Sequence, residues 1–432
     1  MRGATAAAFA IVSIASVARA SIPDVFGLGA EESGVGGASA ARVHDASAGH
    51  YDPAGLTDLP RPTFSIGVVG FGSSLAAGSH PQAIADPFAI ELGAAAPLPL
   101  GAGLARRVFV GIGIVTLPDQ IVHVISRAPD TPFFPYYDNR TQRLVLLPTI
   151  ALRLGAGFSV GIAANYLAGL AGNIAATEGS TRAVEPRVDE QIVSVLRCNL
   201  GVRWRSAGDR LALALVYRQS FSVPFSTVAN NVIAGEPIDL KVVAEGLYTP
   251  DELVLGGAFR ALPWLLVSAD AQVSLWSRWA GPYVAVSSVL PIAGPIATAP
   301  LHLQFSDAYA LRVGAELVRE LSPTTSLHLR RGLGVESSML PSSQPGVTNL
   351  IDGPKLFLSV GAGLVVRGKD FLLHIDTNAQ LHIVGGATLV KKVDPHETDP
   401  TVALRDSNNP GYPTISGGGS VWSAGLTLTV ER

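Results

Sequence analysis

Between Ile192 and Trp204 the chain alternates, with Leu196, Cys198, Leu200, Val202 and Trp204 on one parity and Arg197, Asn199 and Arg203 on the other. Successive side chains of a strand point to opposite faces, so this spacing predicts a strand with one apolar and one polar face. The period recurs from Leu265 to Leu275, where Leu265, Val267, Ala269, Ala271, Val273 and Leu275 oppose Ser268, Asp270, Gln272 and Ser274. From Phe371 to Ile383, odd apolar positions oppose His374, Asp376, Asn378, Gln380 and His382. Two uncharged stretches, Leu154 to Thr177 and Trp279 to Gln304, are long enough for membrane helices. The first keeps period two, and the second carries Pro282, Pro291, Pro295 and Pro300, each of which costs a helix ~3 kcal/mol or more.

The pattern predicts fourteen strands: 63–72, 88–97, 107–117, 142–154, 156–168, 190–205, 209–221, 240–261, 264–278, 307–319, 324–335, 355–367, 370–384 and 420–431. Short turns at Gly155, Ser206-Ala207-Gly208, Ala261-Leu262-Pro263, Leu321-Ser322-Pro323 and Gly368-Lys369 alternate with long connections. Splitting the eighth strand at Pro250 would give fifteen and break that alternation, so it reads as one strand with a bend. Strands apolar on one face throughout, with no layer of helices to cover them, point to an all-β transmembrane antiparallel barrel, since in hydrocarbon only a closed sheet satisfies its edges.

Composition agrees with the membrane reading. Only 15% of residues are charged, against ~25% in soluble domains. A net charge of -3 gives no basic footprint for nucleic acid, and the single cysteine, Cys198, excludes an internal disulfide framework. Arg2, the apolar run Ala6 to Val17 and the small-x-small site Ala18-Arg19-Ala20 read as an export signal over residues 1–20. Residues 21–61 contain "GVGGASAARVHDASAGHYDPAGL", Gly34 to Leu56, which is rich in small residues and carries turn chemistry at Asp45 and at Asp52-Pro53-Ala54-Gly55. A barrel this wide holds a channel unless filled, and this segment is suited to be a plug inside the lumen, with residues 62–432 forming the wall.

The opening stretch resembles the Gly-rich hatch of the FadL/TodX-type outer-membrane transporters of long-chain fatty acids and aromatic hydrocarbons, with Asp52 where that family usually has asparagine. "YTPDELVLGGAFRALPWLLVSADAQVSLWSRW", Tyr248 to Trp279, is similar to the family's strand, arginine turn and tryptophan-bearing return strand. The late segments "DAYALRVGAEL" and "GPKLFLSVGAGLVVR" fall where the family carries its last strands. The resemblance covers most of the mature chain. It implies a fourteen-strand barrel that takes up hydrophobic molecules passively, captures them in external loops and releases them past the plug through a gap beside a kinked third strand. Gly111 and Gly113 are the residues matching that kink, and Asp45, Asp52, Pro53 and Gly55 would form the gate.

Two loops break the rule that loops avoid apolar surface. One holds Phe133, Phe134, Tyr136 and Tyr137; the other runs from Val284 to Leu301 above Trp276 and Trp279. These aromatics suit either ligand capture or an interfacial girdle. Arg197, Arg203 and Arg330 lie on lumenal parity and are of the right type to grip a ligand carboxylate. His374, Asp376 and His382 share a face but span about 20 Å or more of strand, too far for one metal shell, and no cofactor is implied. Ser326 and His328 are spaced for contact, which alone does not make a catalytic set, so no enzyme is expected. The expected partners are an apolar small molecule and outer-membrane lipid around a monomer. The ligand can be a fatty acid or an aromatic hydrocarbon, and a diffusion porin is the alternative.

Overall fold

The computed structural model of the protein describes residues 23–432 apart from 79, 83–87, 102–105, 119–131, 139–143, 179–183, 234–235, 282–283, 291–293, 298–302, 346–348 and 393–412. The assigned export signal lies outside the described residues.

Fourteen antiparallel strands form the wall: β1 Thr63–Ala77, β2 Phe88–Pro97, β3 Val108–Thr116, β4 Val145–Gly155, β5 Phe158–Glu178, β6 Val184–Arg205, β7 Leu211–Arg218, β8 Glu252–Leu262, β9 Leu265–Ser274, β10 Ala308–Ser322, β11 Thr325–Glu336, β12 Lys355–Arg367, β13 Leu372–Lys392 and β14 Thr414–Glu431. Each pairs with its neighbour in sequence, and β1 closes the sheet on β14 from Thr63↔Glu431 to Ala77↔Gly417. Short turns lie at the lower end with Thr63 and Glu431, and long connections at the upper end. Six further strands, including Phe221–Ile233 and Glu236–Thr249, extend the sheet at the upper end. The expected single strand 240–261 is therefore interrupted at Pro250-Asp251, where proline has no amide for the ladder; only its second half spans the wall, so the alternation of turns and loops is kept.

The period-two faces fall as the side chains demand. On β6, Leu196, Leu200 and Val202 are exposed while Arg197, Asn199 and Arg203 are buried toward the lumen. On β14, Trp422, Leu426, Leu428 and Val430 are exposed. Outward aromatics form two belts, with Phe64, Phe158, Trp264 and Phe371 near the lower turns and Phe88, Tyr166, Tyr217, Tyr309 and Trp422 toward the upper rim. This is the arrangement of a lipid-facing band.

The lumen holds the N-terminal segment. Helices α1 Pro23–Phe26, α2 Ala30–Gly34 and α3 Ala48–Tyr51 are followed by a 3-10 helix, Pro53–Asp58, and Leu59 to Pro62 lead into β1. Only four or five residues long, the α-helices cannot stand alone in water and depend on the wall around them.

Candidate functional site

Arg203, on β6, is the center of the contact between plug and wall. Its Nε donates to Asp52 Oδ2 at 2.8 Å, Nη1 to the Val43 carbonyl and to Asp58 Oδ2, both at 2.8 Å, and Nη2 to the Ala40 carbonyl at 2.7 Å. Asp52 also accepts from the Ala54 amide at 3.0 Å and so caps the 3-10 helix, with Pro53 at its first position. Burial pushes the Asp52 carboxyl up against the pull of Arg203. The carboxylate that departs from the resembled asparagine thus meets a guanidinium.

The other two arginines expected to face a ligand also hold the plug. Arg197 Nη2 donates to Asp24 at 2.9 Å, and Arg330 lies 3.4 Å from Glu31 while binding Glu316 and Asp376 on the wall. Plug residue Arg42 reaches back to Glu316 at 2.9 Å. Sequence reasoning missed further anchors, Asp270, Arg218 and Asn199 among them. Asp270 accepts from the Ser39 and Ala40 amides at 2.8 and 2.9 Å, Arg218 Nε donates to the His50 carbonyl at 2.9 Å, and Asn199 donates to the Gly49 carbonyl at 2.9 Å. Asp45 works within the plug, where its Oδ1 accepts from the Ser47 amide at 2.9 Å.

Glycine at lumenal positions of the wall makes room for this segment. A Cβ at Gly161 or Gly332 would overlap plug backbone at Pro53 or at Val35 and Gly36, and one at Gly256 would lie 2.7 Å from the Ala40 Cβ. At Gly111 and Gly113 the fit is looser, with Cβ positions 3.3 Å from a Leu56 methyl and 3.5 Å from the Ala46 carbonyl oxygen. Strand β3 pairs without a register shift from Pro97↔Phe109 to Ile90↔Thr116 on one side and from Val108↔Leu152 to Val115↔Val145 on the other. The ladder on both sides of Gly111 and Gly113 is continuous. The ladder is interrupted between β4 and β5, where Leu147 and Pro148, paired to β3, have no partner on β5.

Beneath α2, burial raises the Glu32 carboxyl to about 7, against the nearby Arg42, while Ser39 Oγ donates to it. Glu31 goes the other way: burial is outweighed by Arg330 and Arg42, which hold it at about 2. A carboxyl raised in the docked state contributes stability fully present below its ordinary value of 4.5 and lost as pH rises through 7. Protease cleavage of the plug is therefore expected to accelerate between pH 5 and pH 8, roughly the window set by that shift. Glu32→Gln should flatten the profile; an unchanged profile would show that Glu32 does not govern docking.

Above the plug the lumen is aromatic. Helix α4, Pro135–Asp138, folds the β3–β4 loop inward, so that Phe133, Phe134, Tyr136 and Tyr137 are at most 2% exposed. Phe133 pairs with the Asn349–Ile351 segment on the far side, and Tyr136 Oη donates to Glu336 at 3.3 Å under the Lys355 ammonium. A second cluster stacks Trp279 on Tyr248, 5.2 Å apart and nearly parallel, beside Trp276 and Phe305. All six expected capture aromatics are interior rather than a lipid-facing girdle. Of the second loop, 291–293 and 298–302 lie outside the described residues. Phe26 of α1 stacks on Phe71 and His382 at the base of this region. The cavity between α1 and Arg218, Arg312 and Phe357 is about 60 Å³, smaller than the ~150 Å³ cavity that accepts benzene.

Ser326 Oγ lies 3.3 Å from His328 Nε2, and His328 Nδ1 2.8 Å from Glu316. The order resembles a hydrolytic triad, but Ser326 is 1% exposed and Glu316 is already held by Arg42 and Arg330. His374 pairs with Glu431 at 3.0 Å and Asp376 with Arg330, which accounts for the polar row of β13.

Comparison with solved structures gives the same fold. The chain aligns over 94% of its length with 99% of the Pseudomonas putida toluene transporter TodX, at a TM-score of 0.57 and 15% identity. It aligns over 93% of its length with 97% of a Pseudomonas aeruginosa FadL homologue, at 0.55 and 12%. With the monoaromatic hydrocarbon channel CymD the values are 94%, 97%, 0.54 and 13%. No protein-family model matches the chain, and no curated protein matches it in sequence.

Proposed function

We propose that this protein is an outer-membrane channel of a Gram-negative bacterium for passive uptake of hydrophobic molecules, fatty acids or aromatic hydrocarbons, and not an enzyme. The observation that carries the reading is the lumen itself: an aromatic chamber above a plug that fills the barrel. A diffusion pore needs a wet constriction lined by charge. Residues 1–20 direct export and are removed, 21–61 form the plug, and 62–432 form the wall, with the lower end in the periplasm. The similarity in fold to TodX, CymD and a FadL homologue supports the same reading.

In this reading Phe133, Phe134, Tyr136, Tyr137, Trp276 and Trp279 give the ligand its first apolar contacts. The 60 Å³ cavity makes this a closed state, so ligand entry requires α1 to move with Phe26 and to loosen the Asp24–Arg197 pair. Below the plug, a vestibule of about 500 Å³ is lined by Arg42, Asp58, Arg205, Glu316 and Arg330. Such a charged exit disfavors an apolar ligand. Sideways release into the membrane follows, and the Leu147-Pro148 step, which has no partner on β5, is a place in the wall where that seam is already open.

The test is uptake of labeled oleate and toluene by cells carrying the protein. Phe133→Ala combined with Phe134→Ala is expected to lower uptake roughly tenfold, equivalent to ~1.4 kcal/mol of lost apolar contact. Entry of small sugars but not of oleate or toluene would reject the proposal.

A further inference from the structure

Among the described residues, the outward face of the wall contains one charge between its two aromatic belts. Among the described residues, the outward positions of the fourteen strands in this band are apolar or small, apart from Thr116, Thr377 and Arg331, with Arg319 just below the band beside Trp264. Arg331 lies in mid-strand on β11, exposed between the outward Leu329 and Leu333, and its side chain has no ion pair or hydrogen bond among the described residues. A lipid-facing arginine costs ~2–4 kcal/mol at the bilayer midplane and less toward the interface.

Its surroundings are shaped. Strand register sets Arg331 in a row with Ala315, Val360 and Ala379. The row above is Val313, Leu333, Leu358 and Leu381. Small side chains in one row beside bulky ones in the next leave an apolar groove of about 760 Å³ on the outer wall, with Arg331 as its only cation. The depth is defined as well. Ala315, the partner of Arg331, is three residues above Val318, whose amide donates to the carbonyl of the belt residue Trp264 at 2.9 Å. Three residues are about 10 Å of strand, or roughly 8 Å of depth at a tilt of ~40°. An arginine side chain covers much of that distance by snorkeling toward the periplasmic interface.

On the reading that this wall faces lipid, we propose that the β10–β13 groove binds a phospholipid of the periplasmic leaflet, its phosphate paired with Arg331 and an acyl chain lying along the groove. A guanidinium matches a phosphate with two parallel hydrogen bonds, and the groove supplies apolar contact that a lone cation in hydrocarbon lacks.

Native mass spectrometry of the purified full-length protein in detergent, titrated with phosphatidylglycerol, tests this. The unmodified protein is expected to retain one phosphatidylglycerol at a concentration where Arg331→Leu retains about tenfold less, with Arg331→Lys in between. The leucine variant replaces an exposed charge by an apolar side chain on the lipid face and should stay folded, as heat-modifiable migration in gels will show. Equal phosphatidylglycerol retention by the unmodified protein and the leucine variant would overturn the proposal. So would a loss confined to bound oleate, which would assign the groove to cargo, or a dimer lost only in the variant, which would assign it to a second copy. The phosphatidylglycerol readout is independent of whether the channel carries hydrophobic cargo.

Discussion

Arg203→Met is expected to open the barrel. Planar-bilayer recordings should show frequent transitions to a conducting state in the variant and few in the unmodified protein. The substitution keeps an apolar stem of similar length and removes a guanidinium that binds two plug carboxylates and two plug carbonyls. Asp52, wholly buried, is left without its charge partner, and removing one member of a buried pair costs about 3–5 kcal/mol. At ~1.4 kcal/mol per factor of ten, the undocked population rises about a hundredfold to several thousandfold. Asp52→Asn is the matched control. It can still cap through the Ala54 amide but leaves the guanidinium facing an amide, so a smaller rise is expected. Conductance unchanged in Arg203→Met would mean that the plug is held without this residue.

Gly332→Val is expected to expel the plug by a different route. The new side chain would occupy the space of the Val35-Gly36 backbone, where not even a Cβ fits. Overlap with backbone cannot be relieved by a rotamer change, and overpacking costs ~1–3 kcal/mol even where side chains can yield. Valine favors strands, so the wall itself should tolerate the change. The expected result is a folded barrel whose plug is cut by protease much faster, together with raised conductance. A barrel that does not fold would not separate the two effects, and Gly334→Val on the same strand serves as comparison. Its Cβ would be 3.1 Å from the side chains of Arg312 and Phe357 and touches no plug residue. If both variants behave alike, the glycine at 332 serves the wall and not the plug.

The wall was legible in the sequence because period two is a local property. Burial of Arg197 and Arg203 opposite exposed Leu196 and Leu200 follows from neighbors in the chain, and the alternation of turns and loops sets the number of strands. The partners inside the lumen were not legible. Arg203 meets Asp52 across 151 positions of sequence, and nothing in either segment specifies that distance. Arg197, Arg203 and Arg330 look like ligand grips on parity alone, yet the structure supplies each with a carboxylate of the plug. The glycines carried a usable signal that composition hid: Gly161, Gly256 and Gly332 all fall on the lumenal parity of their strands, where a missing side chain means that something else occupies the space. Gly111 and Gly113 share that lumenal parity, and the resemblance alone links them to a bend.

The plug is tied to β1 by the four residues from Leu59 to Pro62. That short leash makes it a permanently attached competitor for the lumen. A segment so tethered meets its own binding surface at an effective concentration in the ~mM range or above. Individual contacts such as Asp24–Arg197 can therefore be weak enough for an arriving hydrophobic molecule to displace, while the segment as a whole cannot diffuse away. Under the proposed function, opening is a local exchange of one occupant for another, with closure supplied by the tether.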